Sequence, residues 1–166
     1  MQAPVTIRSA TIEDAAAIAD LYNYYILHST VTFEELPVSA ADMQERIALA
    51  LEQYAWFIAE KEGQLMGYAY ATAWRSRSGY RYAAESTVYV RQGAERQGIG
   101  TRLYEELLAA LKVKGMHAVV GGIVLPNEAS ISLHEQLGYH KVAHFKEVGY
   151  KFGQWLDVGY WEILLS

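Results

Sequence analysis

The chain has 166 residues, 52% hydrophobic and 20% charged, the composition of a globular protein with a length suited to one domain. Its 14 Lys+Arg against 19 Asp+Glu give a net charge of −5, which argues against a general nucleic-acid binder, and its lack of cysteine excludes disulfides, thiol nucleophiles and cysteine zinc sites. With no 18-residue apolar run and no basic leader before an apolar stretch, neither a membrane span nor a signal peptide is expected, and a cytoplasmic location is.

Val5–Ser9 reads as a first strand. Thr11 with Asp14 forms a capping box, and Ile18, Leu21, Tyr22 and Tyr25 follow at helical spacing. Residues 29–37, STVTFEELP, read as an exposed loop. Ser39 with Asp42 starts a second helix, with Met43, Ile47, Leu51 and Tyr54 on one face. Trp56–Glu60 and Leu65–Trp74 are strand-like runs around the turn Lys61-Glu62-Gly63-Gln64. A polar loop at 75–81 leads to a strand over Glu85–Val90. Ile99, Leu103, Leu107 and Leu111 then mark a helix that Gly115 can close. His117–Val124 is a further strand, and Asn127 can cap a helix over Glu128–Leu137. Tyr139–Val148 and Val158–Leu164 flank a turn around Gly153. The order β-αα-βββ-αβ-αββ predicts an α/β (α+β) fold with a mixed sheet and no internal repeat or linker.

The charge is unevenly spread. Residues 75–102 hold six basic side chains, all arginine, against two acidic ones, while residues 1–74 hold three against ten. An arginine-only interval in an acidic chain marks either an anion site or a cluster on a solvated face. Inside it, Glu95-Arg96-Gln97-Gly98-Ile99-Gly100-Thr101 joins a strand to a helix. Helix-start amides are unpaired and lie at the positive end of the dipole, so they suit phosphate. Ile99-Gly100 stands where a Walker A loop needs Lys-Ser/Thr, and Leu103 stands where a dinucleotide fingerprint needs its third glycine. A glycine-rich turn without a ligand is the plain alternative.

The loop resembles the acetyl-CoA motif of the GNAT acyltransferase superfamily, Gln/Arg-x-x-Gly-x-Gly/Ala, with Glu95 in the position usually held by Gln or Arg. More narrowly, the chain resembles the phosphinothricin and methionine sulfoximine acetyltransferases. The matching stretches are 32–37 (TFEELP), 68–80 (YAYATAWRSRSGY), 85–90 (ESTVYV), 96–100 (RQGIG), 125–139 (LPNEASISLHEQLGY) and 149–161 (GYKFGQWLDVGYW). The resemblance implies a GNAT-like, mostly antiparallel, splayed sheet flanked by helices, with acetyl-CoA as cosubstrate, no metal, and a homodimer.

It also implies roles. The backbone of Val88, Tyr89 and Val90 would take the pantetheine arm, and the amide of Tyr89 or Val90 would face the thioester carbonyl. Arg96, Gln97, Gly98, Ile99, Gly100 and Thr101 would hold the pyrophosphate. Asn127 and Ser130 match a second cofactor-contact region. Glu85 matches the base that accepts the amine's proton, and its plain alternative is a charged strand end in water. His134 replaces the tyrosine of the wider superfamily and would serve as acid or share the base role, against a packing or capping histidine. Arg75, Ser76, Arg77, Ser86 and Thr87 match the acceptor site, with Arg75 and Arg77 suited to a carboxylate. Phe33 and Glu34 match an acceptor-proximal loop. The implied activity is acetylation of a small amino-acid-like amine. A peptide N-terminus as acceptor, and a non-catalytic CoA-binding module, are the competing readings.

Overall fold

The computed structural model describes residues 3–165. Strand β1 (Thr6–Ser9) leads through a 3-10 turn (Ile12–Asp14) into α1 (Ala15–His28), and α2 (Ala40–Gln53) follows. Then come β2 (Trp56–Lys61), β3 (Gln64–Ala73), β4 (Ala83–Val90), α3 (Ile99–Val113), β5 (Ala118–Val124), α4 (Glu128–Gln136), β6 (His140–Lys151) and β7 (Gln154–Leu164). This is the anticipated order.

The caps are local chemistry. The Thr11 hydroxyl accepts the Glu13 amide, and the Asp14 carboxylate accepts the Thr11 amide at 2.8 Å. These bonds close a 3-10 turn before α1 proper, a detail that the capping pattern does not distinguish from the first turn of a helix. Ser39 caps α2 by accepting the Asp42 amide at 3.0 Å. Glu62 and Gly63, both at positive φ, make the two-residue β2–β3 turn.

The seven strands run in the order β1-β2-β3-β4-β5-β7-β6. All neighbours are antiparallel except β4 and β5. Helices α1 and α2 cover one face, where Ile18, Leu21, Met43 and Ile47 pack on Trp56, Ile58 and Tyr68. Helix α3 covers the other, where Leu103, Leu107 and Leu111 pack on Ala59, Ala69, Ala71 and Val119. The alternation of side chains along a strand therefore decides which layer each residue serves. On β4, Tyr89 faces α1–α2, while Ala84, Val88 and Val90 face α3.

The last hairpin is longer than its sequence pattern indicates. Both strands run to a two-residue turn, Phe152-Gly153, with both residues at positive φ. The ladder is broken between Phe145 and Gly149, where Glu147 also takes positive φ. The bulge and the exposed edge position of β6 remove the apolar alternation by which a strand is recognised.

Candidate active site

The site begins where two strands part. β4 and β5 pair in parallel over only three positions, Ala83 to Glu85 against Ala118 to Val120. Beyond them β4 continues beside β3 up to Val90, and β5 continues beside β7 up to Val124. The Arg91 amide donates to Met66 at 2.8 Å, which sets the phase of the β3–β4 ladder. In an antiparallel ladder bonded pairs alternate, so Tyr89 bonds Tyr68 and Thr87 bonds Tyr70. The backbone groups of Val88 and Val90 point instead into the opening. Of the two amides anticipated near an acyl oxygen, that of Tyr89 is committed to β3 and that of Val90 is not. The Val90 carbonyl accepts the Tyr25 hydroxyl.

The glycine turn lies at the end of the same strand. Arg96 and Gly98 take positive φ, and Gly98 is the N-cap of α3 with no side-chain hydrogen bond in that role. The first amides of α3, including those of Ile99, Gly100 and Thr101, therefore remain for an anion. Arg96, Gln97 and Gly98 are exposed. The neighbouring Arg91 and Arg102 are spent on the Leu65 and Val5 carbonyls, at 2.6 and 2.8 Å. Glu95 turns its carboxylate back to accept the Gly93 amide at 2.8 Å, away from the helix start. Gly100 serves a different need from Gly98: a Cβ there would meet Leu133 of α4 at 3.2 Å. The turn thus fits a pyrophosphate on its amides and Arg96, while the opening beside Val88 and Val90 fits an extended chain.

Glu85 sits at the last paired position of β4 and lines a recess of about 330 Å³ with Val31, Phe33, Val124, Val158 and Tyr160. Burial pushes its carboxyl above the ordinary glutamate range, and the positive charge of Arg75 opposes that shift. Arg75 lines an adjoining recess of about 220 Å³ with Trp74, Phe145 and Glu162. Its guanidinium lies 4.5 Å from the centre of the Trp74 ring. The two recesses share Tyr160, whose ring would stand 3.0 Å from a Cβ at Gly122. Gly122 therefore lets that ring lie against β5.

The other acceptor candidates divide. Phe33 enters the Glu85 recess and packs so closely on Gly149 that no Cβ would fit there. Glu34 instead forms a two-point pair with Arg46 of α2, at 2.8 and 2.6 Å, and accepts the Tyr22 hydroxyl. Arg46 holds its carboxyl below the usual range. Thr87 shares a face with Glu85 and stands beside Tyr70. Ser86 points the other way and is buried against Tyr139, with 2.9 Å between the hydroxyls. Ser76 and Arg77 lie exposed in the loop after β3 and line neither recess.

His134 also belongs to the second face. It is 3% exposed, with Nδ1 2.7 Å from the Ser130 carbonyl and Nε2 3.1 Å from the Tyr104 hydroxyl. Burial pushes its pKa down. The Asn127 side chain caps α4 by accepting the Ser130 amide at 3.1 Å. The sheet thus separates Glu85 from His134. Among the described residues no group of His, Asp and Glu could hold a metal ion.

Several contributors carry no signal in the sequence. Buried Lys151, on the last hairpin, donates to the Thr32 carbonyl at 2.9 Å and ties the 29–37 loop to β6. Tyr160 and Trp74 read as ordinary core or rim aromatics. Tyr104 reads as one more apolar position of α3.

A parallel pair that parts beside a bare glycine-rich helix start, with a burial-shifted carboxyl at the fork, defines a CoA-type acyl-transfer domain. The sequence pattern of the Acetyltransferase (GNAT) domain family matches residues 7–159. A phosphinothricin N-acetyltransferase of Streptomyces viridochromogenes is 42% identical over 96% of this chain and 87% of its own. An L-methionine sulfoximine/L-methionine sulfone acetyltransferase of Salmonella typhimurium is 36% identical over 98% and 95%. The solved structure of a GNAT phosphinothricin acetyltransferase from Sinorhizobium meliloti with acetyl-CoA superposes with a TM-score of 0.94, at 33% identity, over 98% of this chain and 89% of that one. The chain belongs to the GNAT acetyltransferases, in the family of the phosphinothricin and methionine sulfoximine enzymes.

If Glu85 is the base it must be ionised, so activity is expected to fall as pH drops through its raised pKa. The lower limb of kcat/KM for the amine is expected above the ordinary glutamate value of about 4.3. Arg75→Ala removes the group that opposes the shift and moves the limb to higher pH. Glu85→Gln removes the limb and lowers kcat/KM by roughly 10²- to 10⁴-fold. pH profiles of the three proteins check this, and one limb common to all would contradict it.

Proposed function

We propose that this protein is an acetyl-CoA-dependent N-acetyltransferase that acetylates the α-amino group of a small amino-acid-like molecule of the phosphinothricin, methionine sulfoximine or methionine sulfone type. The observation that carries the reading is Glu85, half-buried at the fork of β4 and β5 and facing a recess of about 330 Å³. That volume suits a small ligand better than a peptide chain. The names of the relatives support the same acceptor class.

Acetyl-CoA supplies an acyl group bound to a thiolate leaving group. The amides at the start of α3, with Arg96, hold its pyrophosphate. The strand edge at Val88 and Val90 aligns the pantetheine arm. An amide in the opening, that of Val88 or Val90, donates to the acyl oxygen as negative charge develops there. At neutral pH an α-amino group is mostly protonated, so Glu85 takes its proton, directly or through one water, and frees the lone pair. The nitrogen then bonds to the acyl carbon as the carbon–sulfur bond breaks, and the proton it sheds passes through water to the departing thiolate, which leaves as the CoA thiol. Arg75 pairs with the acceptor's carboxylate or its side-chain anion, and Phe33 and Tyr160 shape the pocket around the rest.

The edge hairpin supports a homodimer as part of this proposal. Val142, Phe145, Val148, Tyr150 and Trp155 are all more than half exposed on β6 and β7, a patch of the kind that marks an association surface. Acetyl-CoA is a cytoplasmic metabolite, and the proposal makes the enzyme cytoplasmic too.

Thiol release from acetyl-CoA is expected with phosphinothricin, methionine sulfoximine or methionine sulfone, in a sample that sediments as a dimer. No turnover with these or with a panel of other amines would remove the activity, and a monomer at micromolar concentration would remove the dimer.

A further inference from the structure

The buried polar side chains on the α3–α4 face are not needed for proton removal by Glu85. They form a chain. The Tyr139 and Ser86 hydroxyls are 2.9 Å apart, Ser86 stands beside the Tyr104 hydroxyl, and Tyr104 is 3.1 Å from Nε2 of His134. Nδ1 of His134 is 2.7 Å from the Ser130 carbonyl.

The direction of the two His134 bonds follows from their carbonyl end. A carbonyl only accepts, so Nδ1 carries a hydrogen and donates to Ser130. In the neutral ring Nε2 is then an acceptor, and the Tyr104 hydroxyl donates to it. Beside this bond Ser86 and Tyr139 share a second one, in which either hydroxyl can donate. Both ring nitrogens are engaged.

Among the described residues no charged group faces the imidazole to balance a proton on it. Its neighbours are Tyr104 of α3, Ser86 of β4, Gly121 of β5 and Tyr139 beyond α4. The adjacent Glu135 carboxylate turns to the Trp161 indole, at 3.1 Å. A Cβ at Gly121 would come within 2.7 Å of Nε2, so the Nε2–Cδ2 edge of the ring lies close against β5 where that strand parts from β4.

We propose that Tyr104 is a positioning residue of the acetyltransferase: its hydroxyl locks His134 as the neutral Nδ1–H tautomer, and the locked ring ties α4 to α3 against β5 at the fork instead of carrying the amine's proton. The arrangement joins the three elements that border the opening. Ser86 belongs to β4, Tyr104 to α3, whose first turn carries the pyrophosphate amides, and His134 to α4. Removing one hydroxyl frees the fork to relax without touching Glu85.

The kinetic part of the test rests on the activity proposed above, whereas the spectroscopic part needs no turnover. In wild-type protein with labelled histidine, the ¹⁵N shifts of His134 are expected to show one protonated Nδ1 and one bare Nε2. They should stay unchanged across the pH range of the lower limb of kcat/KM. In Tyr104→Phe, which keeps the ring and deletes only the hydroxyl, the signals should move to a tautomer mixture. Its kcat should fall roughly ten- to a hundredfold, as for a small misplacement of reacting groups, with the lower limb of kcat/KM at its wild-type pH. A wild-type His134 that titrates together with that limb would overturn the proposal. So would a Tyr104→Phe enzyme with unchanged kcat and tautomer, or one whose lower limb has shifted. Should the variant fail to fold, the wild-type titration alone decides.

Discussion

Everything in this site depends on two neighbouring strands that stop being neighbours. β4 and β5 share three paired positions and then follow different partners. A sheet interior seldom leaves backbone groups unpaired, because burying them without partners costs about 1–3 kcal/mol each. The amides of Val88 and Val90 therefore need water or a ligand. A CoA arm that adds as a short strand meets this need, and the bare amides of α3 wait at its far end. The fold holds the opening in place from outside. Gly67, on β3, lies so close to the Tyr89 carbonyl, Ile99 and Leu103 that only glycine fits between the sheet and α3.

The same strand also sorts the chemistry. Successive residues of β4 alternate between the two helical layers. Glu85, Thr87 and Tyr89 share the side of the acceptor recess, whereas Ser86 turns to Tyr139 on the side of His134. A carboxyl whose pKa burial raises and an imidazole whose pKa burial lowers thus sit on opposite faces of one sheet. Under the proposed mechanism, proton removal from the amine and the bracing of the cofactor side become separate tasks.

The sequence was a good guide where its signals are local. The Thr11 and Ser39 caps, the apolar stripe of α3, the Glu62-Gly63 turn and the glycine turn before α3 all act within a few residues. The whole element order follows from them. The arginine-only interval proved composite: Arg75 lies near Glu85, Arg96 at the helix start, and Arg91 and Arg102 tie down backbone carbonyls. What was illegible depends on partners far along the chain. The face that Ser86 takes is set by register with β3 and β5. Glu34 is claimed by Arg46, twelve residues on, and Thr32 by Lys151, at a separation of 119. The length of the last hairpin was hidden by its bulge.

Amide hydrogen exchange at the fork distinguishes a cofactor slot from an ordinary closed sheet. In the free protein the Val88 and Val90 amides should exchange quickly, while those of Tyr89 and Thr87 in the same strand are slow. Saturation with acetyl-CoA should slow Val88 and Val90 and leave the other two almost unchanged. Val88 and Val90 amides that are already slow in the free protein, or that stay fast with the cofactor bound, would contradict the account.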